Sequence, residues 1–319
     1  MVCYIYQTFQ RQNTAKFSTI DFVKLARFVL YALRTIIRKN SKYLMNPHAA
    51  PQLSPLRLML TIKTHRKLIQ HLIRREIMIR YQGSMMGLLW SFFNPILMLA
   101  VYTFVFSVVF KARWLGGSES KTEFALVLFA GLMLFGLFSD CINRAPSLIV
   151  NNVNYVKKVI FPLEILPLVT LGAALFHMSI SLAVWLLFYL IFFGAPPLTI
   201  FFLPLILLPL IFFSVGLTYL LASLGVYLRD VSQIVVVLTS VLTFLSPIFY
   251  PVSALPENYQ WLVQISPLTQ VIEQSRDAMI WGKALDASIW FAYLFCSMVI
   301  ASLGFAWFQK TRKGFADVL

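Results

Sequence analysis

Six long apolar stretches divide this chain, at about 88–110, 124–142, 165–193, 198–228, 231–250 and 288–308. A helix needs ~20 mainly apolar residues to cross a bilayer. The pattern therefore predicts an all-α integral membrane fold with six transmembrane helices. The third and fourth stretches are longer than a bilayer requires, and Pro167, Pro204 and Pro209 are expected to trim or kink them. A different pattern precedes the first span. In HRKLIQHLIRREIMIRY, Leu68, Ile69, Leu72, Ile73 and Ile77 share one helical face, and Lys67, Gln70, His71, Arg74 and Arg75 share the other. Glu76 and Arg80 stand at i,i+4. This reads as an amphipathic interfacial helix, its apolar face in the acyl boundary and its basic face, with Arg74, Arg75 and Arg80, toward anionic headgroups. It also reads as a plain basic stretch that only sets topology. Gly83 and Gly87 favour the first reading, because they let the chain bend sharply where it enters the membrane.

Residues 59–319 read as one membrane domain preceded by an extension, 1–58. Within the extension, Phe22, Leu25, Val29, Leu33 and Ile36 form a helical stripe opposite Lys24, Arg27, Arg34 and Arg38. The extension is either a second surface helix or an appendage to a protein whose natural start is Met59. Two connections stand out. NRAPSLIVNNVNYVKKVIFP (143–162) is long and polar, with Leu148, Val153 and Val156 on one side of a short helix. It is either a surface that docks on a cytoplasmic partner or an ordinary connecting loop. The segment 250–282 is apolar for an aqueous loop yet contains Glu257, Glu273, Arg276 and Asp277. Two short amphipathic helices that enter the membrane partway, started by Pro256 and Pro267, fit it better than a seventh span.

Charge fixes the expected orientation. Only 12% of the 319 residues are charged, against ~25% in soluble domains, so lipid must solvate much of the surface. Fifteen of the 27 Lys and Arg precede residue 88, where only Asp21 and Glu76 oppose them. This clustering points to a cytoplasmic membrane surface rather than to nucleic acid, despite the net charge of +15. Placing both termini in the cytoplasm puts 22 Lys and Arg inside and five outside. No cleavable leader is expected, because no charged region runs into an uninterrupted apolar one. Cys141 and Cys296 are expected as small buried hydrophobes.

Chemistry-bearing residues are sparse. Tyr102, Phe106 and Phe110 repeat at i, i+4, i+8 in the first span; they either pack on neighbouring helices or form a stacking track for sugar rings. Trp90, Trp114, Tyr250, Trp261, Trp290 and Trp307 lie near span ends, where aromatics form interface belts. Asp140 and Arg144 are spaced to pair, Glu164 suits a helix start, and His177 reads as a hydrogen-bonded packing residue. No acid–base chain crosses the bilayer, which disfavours a proton-driven pump. The chain has no G-x-x-x-x-G-K-[ST] loop, no H-E-x-x-H, no G-x-S-x-G and no cysteine–histidine metal spacing. It is expected to bind no cofactor or metal and to have no catalytic residues.

At three places the chain resembles the membrane-spanning subunits of ABC exporters for polysaccharides and polyol phosphates, of the O-antigen, capsule and teichoic-acid type. The resemblance rests on RREIMIRYQGSMMGLLWSFFNPILMLAVYTFVFSVVF (74–110), NNVNYVKKVIFPLEILPL (151–168) and SPIFYPVSALPENYQWLVQISPLTQVIEQSRD (246–277), and covers roughly 60–319. Leu163 departs from it where some members carry Arg, so a charge-pairing role for Glu164 is not expected.

The resemblance implies a homodimeric half-channel in the bacterial cytoplasmic (inner) membrane. It implies docking to two copies of a separate ATPase that holds ATP and Mg²⁺. Residues 65–82 would be a gate helix and 143–160 a coupling helix, with Asn151, Asn152, Tyr155, Lys157 and Lys158 facing the ATPase. The segment 251–283 would be a re-entrant pair closing the exit. The cargo would be a polyprenyl-diphosphate-linked glycan, its headgroup met by Arg74, Arg75 and Arg80 and its sugars passing Tyr102, Phe106 and Phe110. The competing readings are an ABC permease for a small hydrophobic drug or another lipid, a membrane-embedded glycan-processing enzyme, and a membrane scaffold.

Overall fold

The structure, a computed structural model, describes residues 55–105, 121–157 and 161–319. Phe106, Phe110, Lys158, Trp114 and the expected surface helix within 1–58 lie outside the described residues, all of which fall in one compact unit beginning at Pro51. Their regular elements are helical. In order they are α1 (Pro55–Thr64), α2 (Arg66–Tyr81), α3 (Trp90–Tyr102), α4 (Lys121–Arg144), α5 (Val153–Val156), α6 (Leu166–Phe193), α7 (Leu203–Ile206), α8 (Leu208–Tyr227), α9 (Val231–Leu245), α10 (Glu257–Gln264), α11 (Pro267–Met279), α12 (Ala287–Thr311) and α13 (Phe315–Val318).

Five helical stretches among the described residues are long and apolar enough to cross a membrane: Gly87–Val105, Thr122–Arg144, Leu163–Phe193, Leu198–Tyr227 and Ala287–Val318. They match five of the six expected spans. The expected span 231–250 is matched only in its first part, because α9 stops at Leu245 after 15 residues. At 1.5 Å per residue that is about 22 Å, short of a hydrocarbon core ~30 Å thick. The cause is Pro247. Its ring pushes the preceding residue out of the helical region, and Ser246 is extended at φ −77, ψ 147. Prolines act differently in the neighbouring spans: Pro167, Pro204 and Pro209 all sit in the first turns of α6, α7 and α8, so they restart helices rather than kink them.

α4 is the hub. Its buried face, which includes Leu128, Leu134 and Phe138, packs among α6, α8, α9 and α11. α8 and α12 lie backbone to backbone. A Cβ on Gly216 would come within 2.7 Å of the Ala301 backbone, and one on Gly304 would strike the Gly216 carbonyl. Small residues at such crossings let membrane helices gain dispersion contact where no hydrophobic effect operates. Trp185 is fully buried in α6 and donates from Nε1 to Leu126 O at 3.0 Å, a cross-helix tie that periodicity did not announce. Trp290 likewise donates to Leu205 O at 2.9 Å and is buried, whereas Trp90, Trp261 and Trp307 are exposed as belt residues are. Cys141 is buried as expected, but Cys296 is exposed on α12, because that helix turns this face away from its neighbours.

α2 also departs from expectation. Its stripe of Ile69 and Leu72 packs on Ile165 and Val169 at the start of α6, with Leu68 and Ile73 alongside. Ile73 fills the space left by the missing side chain of Gly172. Protein rather than acyl chains therefore covers this face. The bend after α2 is as expected: Gly83 has φ +84 and Gly87 φ +51, in the left-handed region that costs an L-residue ~1–2 kcal/mol. Gly87→Ala is expected to lower stability by about 1 kcal/mol, read as a fall in the unfolding temperature of detergent-solubilised protein; no fall would mean that the bend tolerates a side chain.

Candidate functional site

The polar residues singled out in the sequence converge where α2, the end of α4 and the following loop meet. The loop 145–157 folds as a helical turn (Val150–Asn152) followed by α5. Asn152 Nδ2 donates to Leu148 O at 2.8 Å and closes the turn. Tyr155 stacks on Phe161, ring centroids 4.2 Å apart and nearly parallel. From α2, Arg75 Nη1 donates to Tyr155 Oη at 2.7 Å, which ties the basic helix to this loop across 80 residues of sequence. Gly225 near the end of α8 lies against the backbone of Pro146, so close that a Cβ there would strike the Pro146 carbonyl. The loop is thus held from both sides. Gly225→Val is expected to displace the loop and lower the unfolding temperature of the detergent-solubilised protein; an unchanged unfolding temperature would show that the contact is dispensable.

Four charges join α2 to α4. Arg80 Nη2 pairs with Asp140 at 2.6 Å, Arg144 Nη2 with Glu76 at 3.0 Å, and Arg144 Nε with Asp140 at 3.9 Å. The i,i+4 pair expected within α2 gives way to pairs across helices, because α4 presents opposite charges at the same height. Asp140 Oδ2 and Arg144 Nη1 are buried without a hydrogen-bond partner among the described residues. The paired side chains keep between 24% and 37% of their exposure, so each pair contributes about 1 kcal/mol or less. A lattice this weak holds geometry without locking it. Its members Glu76 and Arg144, with Arg75, Asn151 and Tyr155, wall a cleft of about 300 Å³ over Leu166 and Val169.

The other expected residues fall as follows. Arg74 is exposed and forms no ion pair among the described residues, and Asn151 and Lys157 are exposed on the loop that Arg75 reaches. Tyr102 is half-buried and lines a second cavity, together with Arg80. His177 packs as expected, its Nδ1 3.2 Å from Tyr81 Oη. Burial raises the pKa of that phenol from its ordinary value, with Arg80 opposing, so Tyr81 stays protonated at neutral pH. Glu164 corrects the sequence reading. Arg312 Nη1 reaches its Oε2 at 2.9 Å, and the carboxylate is almost wholly buried. The partner lies 148 residues away, beyond any local pattern. Tyr227 donates to Thr311 O at 2.9 Å and Phe315 is buried, so the C-terminal segment is fastened to the same end of the bundle.

At the opposite end, α10 and α11 begin where expected, after Pro256 and at Pro267. Arg276 of α11 is 1% exposed and holds three carbonyls: Val127 O of α4 at 2.9 Å, Pro247 O at 2.5 Å and Ile248 O at 2.8 Å. Gly131 makes room for it, since a Cβ there would lie 2.5 Å from Nη2. The sequence marked Arg276 only as a charge in an apolar segment.

Residues 67–280 match the model of the ABC-2 type transporter family, and this stretch holds the bent basic helix, the fastened loop and the proline-started pair. The chain belongs to this family. It is a multi-pass membrane transport subunit, as the apolar helices and the family together require. Similar curated proteins include the O-antigen export system permease protein RfbA of Myxococcus xanthus, 27% identical over 82% of this chain and 99% of that protein. RfbA of Klebsiella pneumoniae is 25% identical over 77% of this chain and 92% of that protein. The polysialic acid transport protein KpsM of Escherichia coli is 27% identical over 67% of this chain and 81% of its own length. The enzyme reading therefore falls away, because the chain belongs to a transporter family.

Proposed function

We propose that two copies of the permease form a passage through the inner membrane, and that two copies of a separate ATPase, holding ATP and Mg²⁺, drive it. The cargo is a polyprenyl-diphosphate-linked glycan of the O-antigen or capsule kind. The names of the relatives support the polysaccharide. The Arg75–Tyr155 hydrogen bond carries the mechanism, because it joins the helix that meets cargo to the loop that meets the ATPase. In this reading residues 59–319 are the transporting domain, with six crossings and both ends cytoplasmic. Fastening of α2 and the C-terminal segment to one end of the bundle supports an even number of crossings. α9, too short alone, completes the fifth crossing with the extended residues that Arg276 holds.

The lipid diphosphate meets Arg74 and Arg75 on the exposed face of α2, while Arg80, held by Asp140, sets the helix position. The ATPase docks on Asn151, Asn152, Tyr155, Lys157 and Lys158. ATP-driven closure moves this loop and, through Tyr155, pulls on Arg75. The weak ion pairs between α2 and α4 then exchange partners at little cost. The glycan passes the first-span aromatics Tyr102, Phe106 and Phe110, and α10 with α11 forms a re-entrant cover at the exit. Deleting the permease should make lipid-linked glycan accumulate on the cytoplasmic face of the inner membrane, detected by fractionation and glycan staining. Glycan that still reaches the surface at normal levels would refute the assignment.

A further inference from the structure

The second cavity holds chemistry that the passage itself does not need. It encloses about 300 Å³ between the end of α2 and helices α3, α4 and α6. α3 contributes Ser91, Asn94, Met98 and Tyr102, all on one face at three- and four-residue intervals, and α6 contributes His177 and Ser181. Asn94 is the informative group. It lies in an otherwise apolar span, is exposed, and its amide forms no hydrogen bond to any described residue. Polar groups inside spans mark substrate paths. A side chain with no structural partner in that position calls for a ligand.

The lining selects the kind of ligand. An amide and a phenol each both donate and accept, as hydroxyl groups do. Among the described residues that line it the cation is Arg80, which Asp140 neutralises at 2.6 Å, so this lining carries little net charge and does not favour a phosphate. Phe129, Met98 and the Tyr102 ring supply apolar surface beside these polar groups. Polar groups that face aromatic carbon match a pyranose, which has hydroxyls at its rim and C–H bonds on its faces. An acyl chain would leave the amide unpaired.

We propose that this cavity binds a single pyranose of the cargo, the sugar next to the diphosphate, and so selects the glycan by its first residue. Its position supports that sugar rather than a later one, because Arg80 on its rim lies five residues, about 7.5 Å along the axis of α2, from Arg75, which is proposed to hold the diphosphate. This rests on the lipid-linked glycan reading above.

The test uses the permease–ATPase complex in nanodiscs and two synthetic probes: a short prenyl diphosphate, and the same compound bearing one hexose or N-acetylhexosamine. The sugar-bearing probe is expected to bind more tightly to the unaltered complex. Asn94→Leu, which suits a membrane helix, is expected to weaken that probe about ten-fold and leave the sugar-free diphosphate unchanged. Met98→Trp, which fills the cavity from an exposed position, is expected to act the same way. Equal binding of the two probes by the unaltered complex would overturn the sugar site while leaving the exporter reading intact. So would equal weakening of both probes by Asn94→Leu. Failure of the complex to bind either probe would remove the lipid-linked cargo and the sugar site together.

Discussion

An Arg276→Met permease is expected to lose about 3 kcal/mol or more of stability and essentially all export. The guanidinium fills a need created by Pro247. That proline ends α9 five residues short of the expected span and leaves the carbonyls of Pro247 and Ile248 without helical partners. Backbone that is not helical survives at membrane depth only where protein satisfies it. Arg276 bonds to both carbonyls and to Val127 O of α4, so one side chain joins the segment after α9, the central helix and α11. Methionine matches much of its volume but donates nothing, and each bare buried carbonyl costs about 1–3 kcal/mol. Arg276→Lys keeps the charge but carries its three donors on one nitrogen in place of the planar fork, so an intermediate loss is expected. Thermal unfolding of the solubilised protein, alongside surface glycan, separates the three proteins. A methionine variant as stable as the unaltered chain would mean that these carbonyls find other donors.

Replacing both Arg74 and Arg75 by alanine is expected to abolish export while leaving dimerisation and ATPase binding intact. Arg74 is exposed with no ion-pair partner among the described residues, and Arg75 uses one nitrogen on Tyr155, so both keep donors for a diphosphate. Charge-assisted bonds of this kind are roughly twice as strong as neutral ones. The double change also removes the link to the loop, and Tyr155→Phe isolates that part: it deletes the acceptor but keeps the ring stacked on Phe161. If headgroup binding dominates, Tyr155→Phe retains most of the export that the double variant loses. Unchanged surface glycan in the double variant would remove the headgroup role, and equal loss in both variants would assign it to coupling instead.

The candidate site was legible in proportion to how local its signals were. The basic face of α2, the glycine bend, the long polar loop and the proline-started helices all show as short-range patterns, and each formed where expected. What escaped were contacts between residues far apart in the chain. Glu164 appeared to lack a partner because Arg312 is 148 residues away. Glu76 and Arg80 looked like a pair until α4 supplied Arg144 and Asp140. The apolar face of α2 was assigned to lipid because a hydrophobic stripe does not say what covers it, and here the start of α6 does.

By itself, then, the order of apolar and charged residues settled that this chain is a helical membrane protein and where most of its spans run. Hydrophobic burial in a bilayer acts on whole segments of about 20 residues and needs no knowledge of neighbours. Only the tertiary structure decided which polar groups are engaged. Arg276 serves the carbonyls that follow α9, Arg80 and Arg144 tie α2 to α4, Arg75 reaches the loop, and Asn94, beside a cavity, has no hydrogen-bond partner among the described residues. Hydrogen bonds and ion pairs extend only ~3–4 Å and require direction, so their partners are set by how the helices pack rather than by the order of residues.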